Sequence, residues 1–580
     1  MNERQYNGKR RNRKYIIIFL MVWAVQMAAA FYFCVQKQGF HEDEYYTYYS
    51  TARTNGFYVE DGQWMDRETY RNEFVVLPGQ GFQYGLVKQV QSWDVHPPVY
   101  YWVFHTVASL VPGVFSKWVG LSVNLVFWGI NIVLFAYLAW LVSGRSERMA
   151  VLVTLFYGLS PAAMSGVVFI RMYEMLTTFV LLCAILHVQA MRCNGVSVKR
   201  LLPMAAVTYL GFLTQYYYFI FLFYLAVAFC IWLLWRDRAI WNCLRYGVSQ
   251  GIAFVLAYLT YPSCLGQMFR GQRGAQATEN FFNLSNTLDR FRFFYGLLDE
   301  YVFGKLLPVF LLALLILAVT VYGQRSLLRA KQTSGKAVSQ ELVPEAERIR
   351  GKLVLRDRVS TADQHKDRIT KNESRGCCAV YTVLVFAVSG YFLTVSKTAL
   401  LLGDTSNRYQ LPVYGMIVLL FLQGTRMLWQ RVRPESMADA DRGRYLYGAA
   451  AAVCLLIDVA GLASDRVVFL YPEDKAQTDF AMEREKEGTP VVYLYQPGAE
   501  WCIWDVTNEL LAYPEIYFAA ADKADKIAEE RIQNAEALVV YIAEGADDEA
   551  QIGRILDSNP GLSDGQLVFE EKYCRVYYMQ

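Results

Sequence analysis

The chain has 580 residues, of which 54% are hydrophobic, 15% aromatic and only 19% charged, with a net charge of +3. A soluble chain of this length carries more charge and less apolar surface. Apolar runs of about 20 residues recur through the first 465 positions, each long enough to span a bilayer as a helix, whereas the shorter alternating segments of a β-barrel are missing.

In chain order, the basic stretch "KRRNRK" (residues 9–14) precedes the first run and belongs in the cytoplasm by the positive-inside rule. That run, Tyr15 to Val35, has no small-residue cleavage site at its end and reads as a retained helix. Candidate spans follow at 15–36, 118–142, 149–169, 172–191, 201–217, 218–235, 246–264, 304–323, 377–395, 409–426 and 445–463. The connectors "SGRSER", "MRCNGVSVKR", "WRDRAIWNCLR", the segment 324–376 and "RMLWQRVRPESMADADRGR" are rich in Lys and Arg. All fall on the cytoplasmic side if "HPPVYYWVFHTVASLVPG" (96–113) does not cross, so it is read as a helix in the outer interface with an aromatic belt.

The result is a polytopic α-helical membrane protein of about eleven spans, N-terminus inside and C-terminus outside. Residues 1–463 form the membrane domain, with an outer loop at 37–117 and a polar linker loop at 324–376. Residues 464–580 change character: "TPVVYLY", "EALVVYIA" and "GQLVFEEKYCRVYYM" read as strands and "DKADKIAEERIQ" as a helix, making a small extracytoplasmic α/β domain. The eleven cysteines show no CxxC and no metal spacing; Cys502 and Cys574 are placed where they could pair.

The unusual polar residues gather on the outer side. "GFHEDEYYTYYS" (39–50) puts Glu42, Asp43 and Glu44 where the first span ends. "SWDVHPPVYY" lies in the same loop, Arg171 and Tyr173 in "FIRMYEM", Gln215 and Tyr216 in "LTQYYYF", and Lys397, Arg408 and Tyr409 around "TALLLGDTSNRYQLPVY". Each piece has a plainer reading: a solvated acidic helix end, a snorkelling Arg171, an interfacial tyrosine belt, Arg408 paired with Asp404. Asp458, inside the last span near its outer end, is taken as structural. Together the set suits transfer of a group from a lipid-linked donor. A carboxylate is a fit general base, its carboxylate neighbours should raise its pKa, and Arg171, Lys397 or Arg408 could neutralise a departing phosphate. A helix through residue 50 places Asp43, Tyr46, Thr47 and Ser50 on one face and Glu44 with Tyr48 on another.

The order DE, HPPxYY, RMY, LTxYYY and RYxLPxY over about the first 430 residues resembles the GT-C glycosyltransferases, and among them the family-39 protein O-mannosyltransferase-like group. The resemblance implies a polyprenyl-phosphate-sugar donor, transfer on the outer face with inversion at the sugar carbon, and Asp43 as base with Glu44 as its DE partner. It implies that His96 and the "HPPVYY" segment lie beside the active site. Two features depart from the group: Gln215 stands where many relatives have a His, and the first outer loop carries the insert "YVEDGQWMDRETYRNEF".

The expectation is therefore an enzyme of the cell membrane. Asp43 and Glu44 are its catalytic candidates, and His96, Arg171, Tyr173, Gln215, Tyr216, Lys397, Arg408 and Tyr409 its substrate-binding ones. Its partners would be the lipid-linked donor, a cell-envelope acceptor and membrane lipids, with no nucleic acid. Glu42, Asp43 and Glu44 offer oxygens to a divalent metal, but no dedicated cage is visible, and no metal site is assigned. The rivals are a lipid transporter, which would need mid-membrane charge and a repeat, and a non-catalytic assembly protein.

Overall fold

The computed structural model describes residues 3–52, 58–193, 196–238, 240–339, 360–432, 440–563 and 565–580. Eight helices are long and apolar enough to cross a membrane: Arg13–Gln36, Lys117–Val142, Tyr173–Arg192, Tyr217–Arg236, Leu307–Gln324, Gly376–Thr398, Leu411–Val432 and Tyr445–Leu462. Two bent pairs bring the number to ten among the described residues: Glu147–Gly158 with Pro161–Val168, bent by 65°, and Ile240–Thr260 with Ser263–Phe282, bent by 101°. The expected span at 201–217 is the 17-residue helix Val198–Thr214, about 26 Å long at 1.5 Å per residue and a little short of a bilayer core.

The expected single span 149–169 is broken. Ser160 caps a second helix by accepting the Ala163 amide, and Pro161 opens that helix, where its missing N–H costs nothing. Residues 96–113 contain the helix Val99–Leu110, which at about 18 Å is too short to span. The expected linker loop at 324–376 is largely helical: the preceding helix runs on to Ser339 and the next starts at Ser360. Residues 340–359 lie outside the described residues.

The C-terminal region is an α/β unit around a six-stranded sheet. Its strands are β1 (Gln63–Asp66), β2 (Val491–Tyr495), β3 (Glu515–Ala520), β4 (Leu538–Ala543), β5 (Gln566–Glu570) and β6 (Cys574–Met579), in the spatial order β1-β3-β2-β4-β6-β5. β2 runs parallel to β3 and β4, and the other pairings are antiparallel. Of the stretch expected to be helical, "DKADKIAEERIQ", only Glu530–Gln533 is helix. Ile527 is buried and its amide donates to Ser558 Oγ at 2.8 Å, which keeps the rest out of a helix. Cys502 and Cys574 are free thiols.

The boundary at 464 is not a structural one. β1 comes from the insert in the first outer loop and pairs Gln63 with Phe518 and Asp66 with Glu515. Arg67 Nε donates to the Tyr513 carbonyl at 2.8 Å, Asp61 Oδ1 accepts the Ala520 amide at 2.7 Å, and the Arg531 guanidinium lies 4.1 Å from the centre of the Trp64 ring. The outer loop and the tail are thus one folded body above the membrane helices.

Candidate active site

The acidic stretch forms the first turn of the helix Glu42–Ala52, where negative charge is favoured by the helix dipole. Its inner face packs in an aromatic nest: Phe40 lies 5.2 Å from Tyr45 and 5.6 Å from Phe115, and Tyr48 lies 4.9 Å from Phe104, ring centre to ring centre. Tyr48 also donates to the Ser116 carbonyl at 2.7 Å and accepts the Gly120 amide at 3.2 Å. The helix is therefore fixed, and the acids on it point in set directions.

Those directions diverge. Glu42 meets Lys572 Nζ at 2.6 Å and the Tyr573 hydroxyl, both from the turn between β5 and β6. Asp43 Oδ2 lies 2.8 Å from Arg408 Nη1, and its Oδ1 lies 3.9 Å from Arg171 Nη2. Glu44 is wholly buried with Lys37 at 2.9 Å, and it accepts the Ile170 amide at 2.7 Å and the His41 amide at 2.6 Å. Each acid thus has its own partners, so the three share no cation cage, and among the described residues no group of three or more His, Cys, Asp or Glu is placed to hold a metal. The sequence-based expectation that its neighbours raise the pKa of Asp43 is also overturned. Burial does raise it, but the guanidinium charges of Arg408 and Arg171 outweigh burial and hold it well below the usual carboxylate range. Glu44, expected to work beside Asp43, has its oxygens filled and does not line the cavity; it is a staple between the first span and the Ile170 turn.

That turn, residues 169–172, presents Arg171. Asn124 Nδ2 holds it by donating to the carbonyls of Val167 at 2.9 Å and Phe169 at 2.6 Å. Ile170 lies so close to Gly120 that a Cβ there would come within 2.1 Å of its side chain. Arg171 is 3% exposed. Its Nη1 donates to the Asp43 carbonyl at 2.9 Å and to the Thr47 and Tyr101 hydroxyls, each at 3.1 Å, while Nη2 lies 3.4 Å from the His96 ring nitrogens. His96 in turn meets Asp94 at 3.2 Å. The plainer reading of Arg171 as a snorkelling residue fails, since its partners are protein groups.

A cavity of about 330 Å³ opens on this cluster, within the range of small-ligand sites. Asp43, His96, Arg171, Tyr173, Gln215, Tyr216, Arg408 and Tyr409, eight of the ten expected site residues, line it. Phe219, Ile220, Leu400 and Leu402 add apolar lining. Arg408 pairs with Asp43 and not with Asp404, and lies between the rings of Phe169 and Tyr409, 5.4 and 5.1 Å from their centres. Gln215 Oε1 accepts the Tyr216 amide at 2.6 Å, which shapes the turn between two helices. Lys397 does not reach the cavity: its ammonium binds the Asn283 carbonyl and Asn286 Oδ1, the latter at 2.6 Å, pinning the outer loop 265–303.

Sequence reasoning passes over Asp94, Gln267 and Arg273, and gives His41 an interface role only. Asp94 stands in the quoted "SWDVHPP" but drew no separate attention. His41, stacked edge-on to Phe169 at 5.6 Å, touches Arg408 at 3.4 Å; burial and the Arg408 charge push it down to about 3, so it stays neutral. Gln267 donates to the Asp94 carbonyl at 2.6 Å. Arg273, on the exposed helix Gln272–Phe282, lines the cavity and makes no ion pair with a described residue. Nothing in "RGQRGAQ" separates it from an ordinary solvated arginine.

No family model matches the sequence, and no curated protein matches it. Solved structures that align over most of the chain include ArnT from Cupriavidus metallidurans bound to undecaprenyl phosphate (12% identity over 97% of this chain and 98% of that one, TM-score 0.49). The apo state of the same protein aligns with 11% identity over 99% and 98% and a TM-score of 0.46. The archaeal oligosaccharyltransferase AglB from Archaeoglobus fulgidus, in complex with an inhibitory peptide and a dolichol-phosphate, aligns with 12% identity over 94% and 71% and a TM-score of 0.39. Likeness at this level carries no functional conclusion, and the reading that follows rests on the cavity itself.

Proposed function

We propose that the chain is a GT-C-type glycosyltransferase of the cell membrane. It moves a sugar, with inversion, from a polyprenyl-phosphate-sugar to a hydroxyl of a cell-surface lipid, polymer or protein on the outer face. The observation that carries this reading is one cavity that joins apolar side chains, two carboxylates and three guanidiniums: Phe219, Ile220, Leu400 and Leu402 with Glu42, Asp43, Arg171, Arg273 and Arg408. A lipid phosphate needs that combination, because its chain stays in hydrocarbon while its charge needs donors at the membrane edge.

Of the charged groups lining the cavity, Glu42 is met by Lys572 and Asp43 by Arg408, with Arg171 at 3.9 Å, while Arg273 makes no ion pair with a described residue. The Arg273 guanidinium is thus available to the single negative charge of a sugar phosphodiester. In the reaction Asp43 accepts the acceptor's proton, the acceptor oxygen bonds to the anomeric carbon, and the electron pair of the broken C–O bond stays on the lipid phosphate. Arg408 and Arg273 neutralise that phosphate, and Arg171, committed to Thr47, Tyr101 and His96, orients Asp43 and the His96–Asp94 pair.

The test is turnover of a panel of polyprenyl-phosphate sugars by protein in lipid, with and without a cell-envelope extract. Wild type is expected to consume one donor, and Asp43→Asn to lose about 10²–10⁴-fold, as removal of a general base does. No consumption of any donor by folded wild type moves the reading to a non-catalytic assembly protein. Equal rates for both proteins remove Asp43 as base.

A further inference from the structure

We propose that Arg408 keeps Asp43 from acting as a base until a lipid phosphate arrives: the phosphate takes the guanidinium from the carboxylate, so the donor must bind before the acceptor can be deprotonated. This deepens the reading above and rests on it.

Arg408 is 3% exposed and its guanidinium lies 5.4 and 5.1 Å from the ring centres of Phe169 and Tyr409. Its Nη2 donates to the Tyr409 hydroxyl at 3.3 Å, and Nη1 faces Asp43 Oδ2 at 2.8 Å with His41 Nε2 at 3.4 Å. Its Nε is buried without a partner, so a phosphate in the cavity is left the Nη atoms, and Nη1 is the one Asp43 occupies. Arg171 does not compete in the same way. Its Nη donors are spent on a backbone carbonyl, two hydroxyls and His96, its Nε is buried without a partner, and it stands 3.9 Å from Asp43. Neither neighbouring acid can relieve Asp43 by exchanging partners, because Glu42 is bound by Lys572 and Tyr573, and Glu44 by Lys37.

The charged and titratable groups facing Asp43 come from several elements. Arg408 and Tyr409 come from the turn Thr405–Tyr409, and Arg171 and Tyr173 from the start of the helix Tyr173–Arg192. Asp94, His96 and Tyr101 come from the second half of the outer loop, and His41, Glu42 and Tyr46 from its own segment. Of these, Arg408 is the closest cation. Burial alone would leave this carboxyl more basic than usual, and it is the arginine charges that suppress it. A phosphate that engages Arg408 offsets that charge, and the change favours proton uptake by Asp43. The resting protein then holds an inert carboxylate, and water entering an empty cavity meets no base.

The experiment follows protonation of Asp43 without turnover. Protein in nanodiscs is treated at pH 5.5 with a water-soluble carbodiimide and a small amine, which modify protonated carboxyls, and Asp43 is quantified by peptide mass spectrometry. Undecaprenyl phosphate is the probe, and its binding is measured in parallel. Asp43 is expected to be nearly unlabelled alone and to gain at least ~tenfold with bound lipid, since one pKa unit is tenfold in protonation. Arg408→Gln is expected to be labelled strongly without lipid and to gain nothing from it; Arg408→Lys, which keeps the charge, should remain protected. Lipid that binds without changing the labelling overturns the proposal, as does an Arg408→Gln protein of native elution volume that stays protected. If the lipid does not bind, the donor assignment fails, and the lipid-free comparison of Arg408→Gln with wild type still decides whether Arg408 restrains Asp43.

Discussion

In the helix Glu42–Ala52 three consecutive acids each have a cation of their own: Lys572 for Glu42, Arg408 for Asp43 and Lys37 for Glu44. In the tail above it, Asp474, Asp505 and Glu571 crowd one another instead. Burial, then mutual repulsion and that of Glu473, push Asp474 and Glu571 up to about 7, and burial with the nearby Glu42 pushes Asp505 to about 6. The same side-chain chemistry therefore gives a suppressed carboxylate in one place and near-neutral titration in the other. The difference lies in which segments deliver the cations, and those segments lie far off in the sequence.

The largest expected effect comes from breaking a one-to-one pair. Lys37→Met strands Glu44 as a buried charge without its cation and should cost about 3–5 kcal/mol in thermal unfolding of the detergent-solubilised protein. Lys37→Met with Glu44→Leu should recover most of that loss; a melting curve for the single variant that matches wild type would show that Lys37 is not the partner that matters. Next is the pH response of the crowded acids. Their folded pKa values lie above the unfolded ones of about 4, so the folded state binds more protons across that interval. Stability should be full below about pH 4, fall as pH rises to about 7, and level off above. The loss should total about 2–3 kcal/mol, less than the nominal 1.4 kcal/mol per unit suggests because water screens part of it. Asp474→Asn should flatten the pH dependence of the melting temperature, and a flat wild-type profile would dissolve the contrast.

Two smaller effects separate cations that face the cavity from those that do not. Arg273→Gln should raise the donor KM about tenfold with kcat changed less than about threefold, the size of one lost charge-assisted hydrogen bond. Lys397→Met should leave donor KM within about twofold, because its ammonium holds Asn283 and Asn286. Its signature should be faster hydrogen exchange in residues 283–288, a local opening. A large change in donor KM for Lys397→Met would return that lysine to the site.

How much of this could be read in advance varies by residue. Asp43, Arg171 and Arg408 were findable because charged residues at the ends of apolar runs are conspicuous, and parity of the basic loops puts them on one side. Glu44 and Lys397 looked equivalent to their neighbours, and only their burial and partners remove them from the cavity. Arg273 carried no signal, because an arginine in a polar loop is ordinary until a cavity is found beside it. β1 was hidden for a similar reason: "QWMD" is four mixed residues with no alternation, and its pairing with β3 comes from a segment about 450 positions away.

What the sequence determined by itself is the class of the molecule and that its unusual polar residues collect at one end of the apolar runs. Both follow from local quantities, the length of apolar runs and the charge of the connectors. What only the tertiary structure decided is which cation each acid meets, where the helix at 149–169 breaks, and that the first outer loop and the tail share one sheet. Those are contacts between distant segments, and the pKa of a carboxylate is set by the few ångströms around it, which sequence neighbours do not specify.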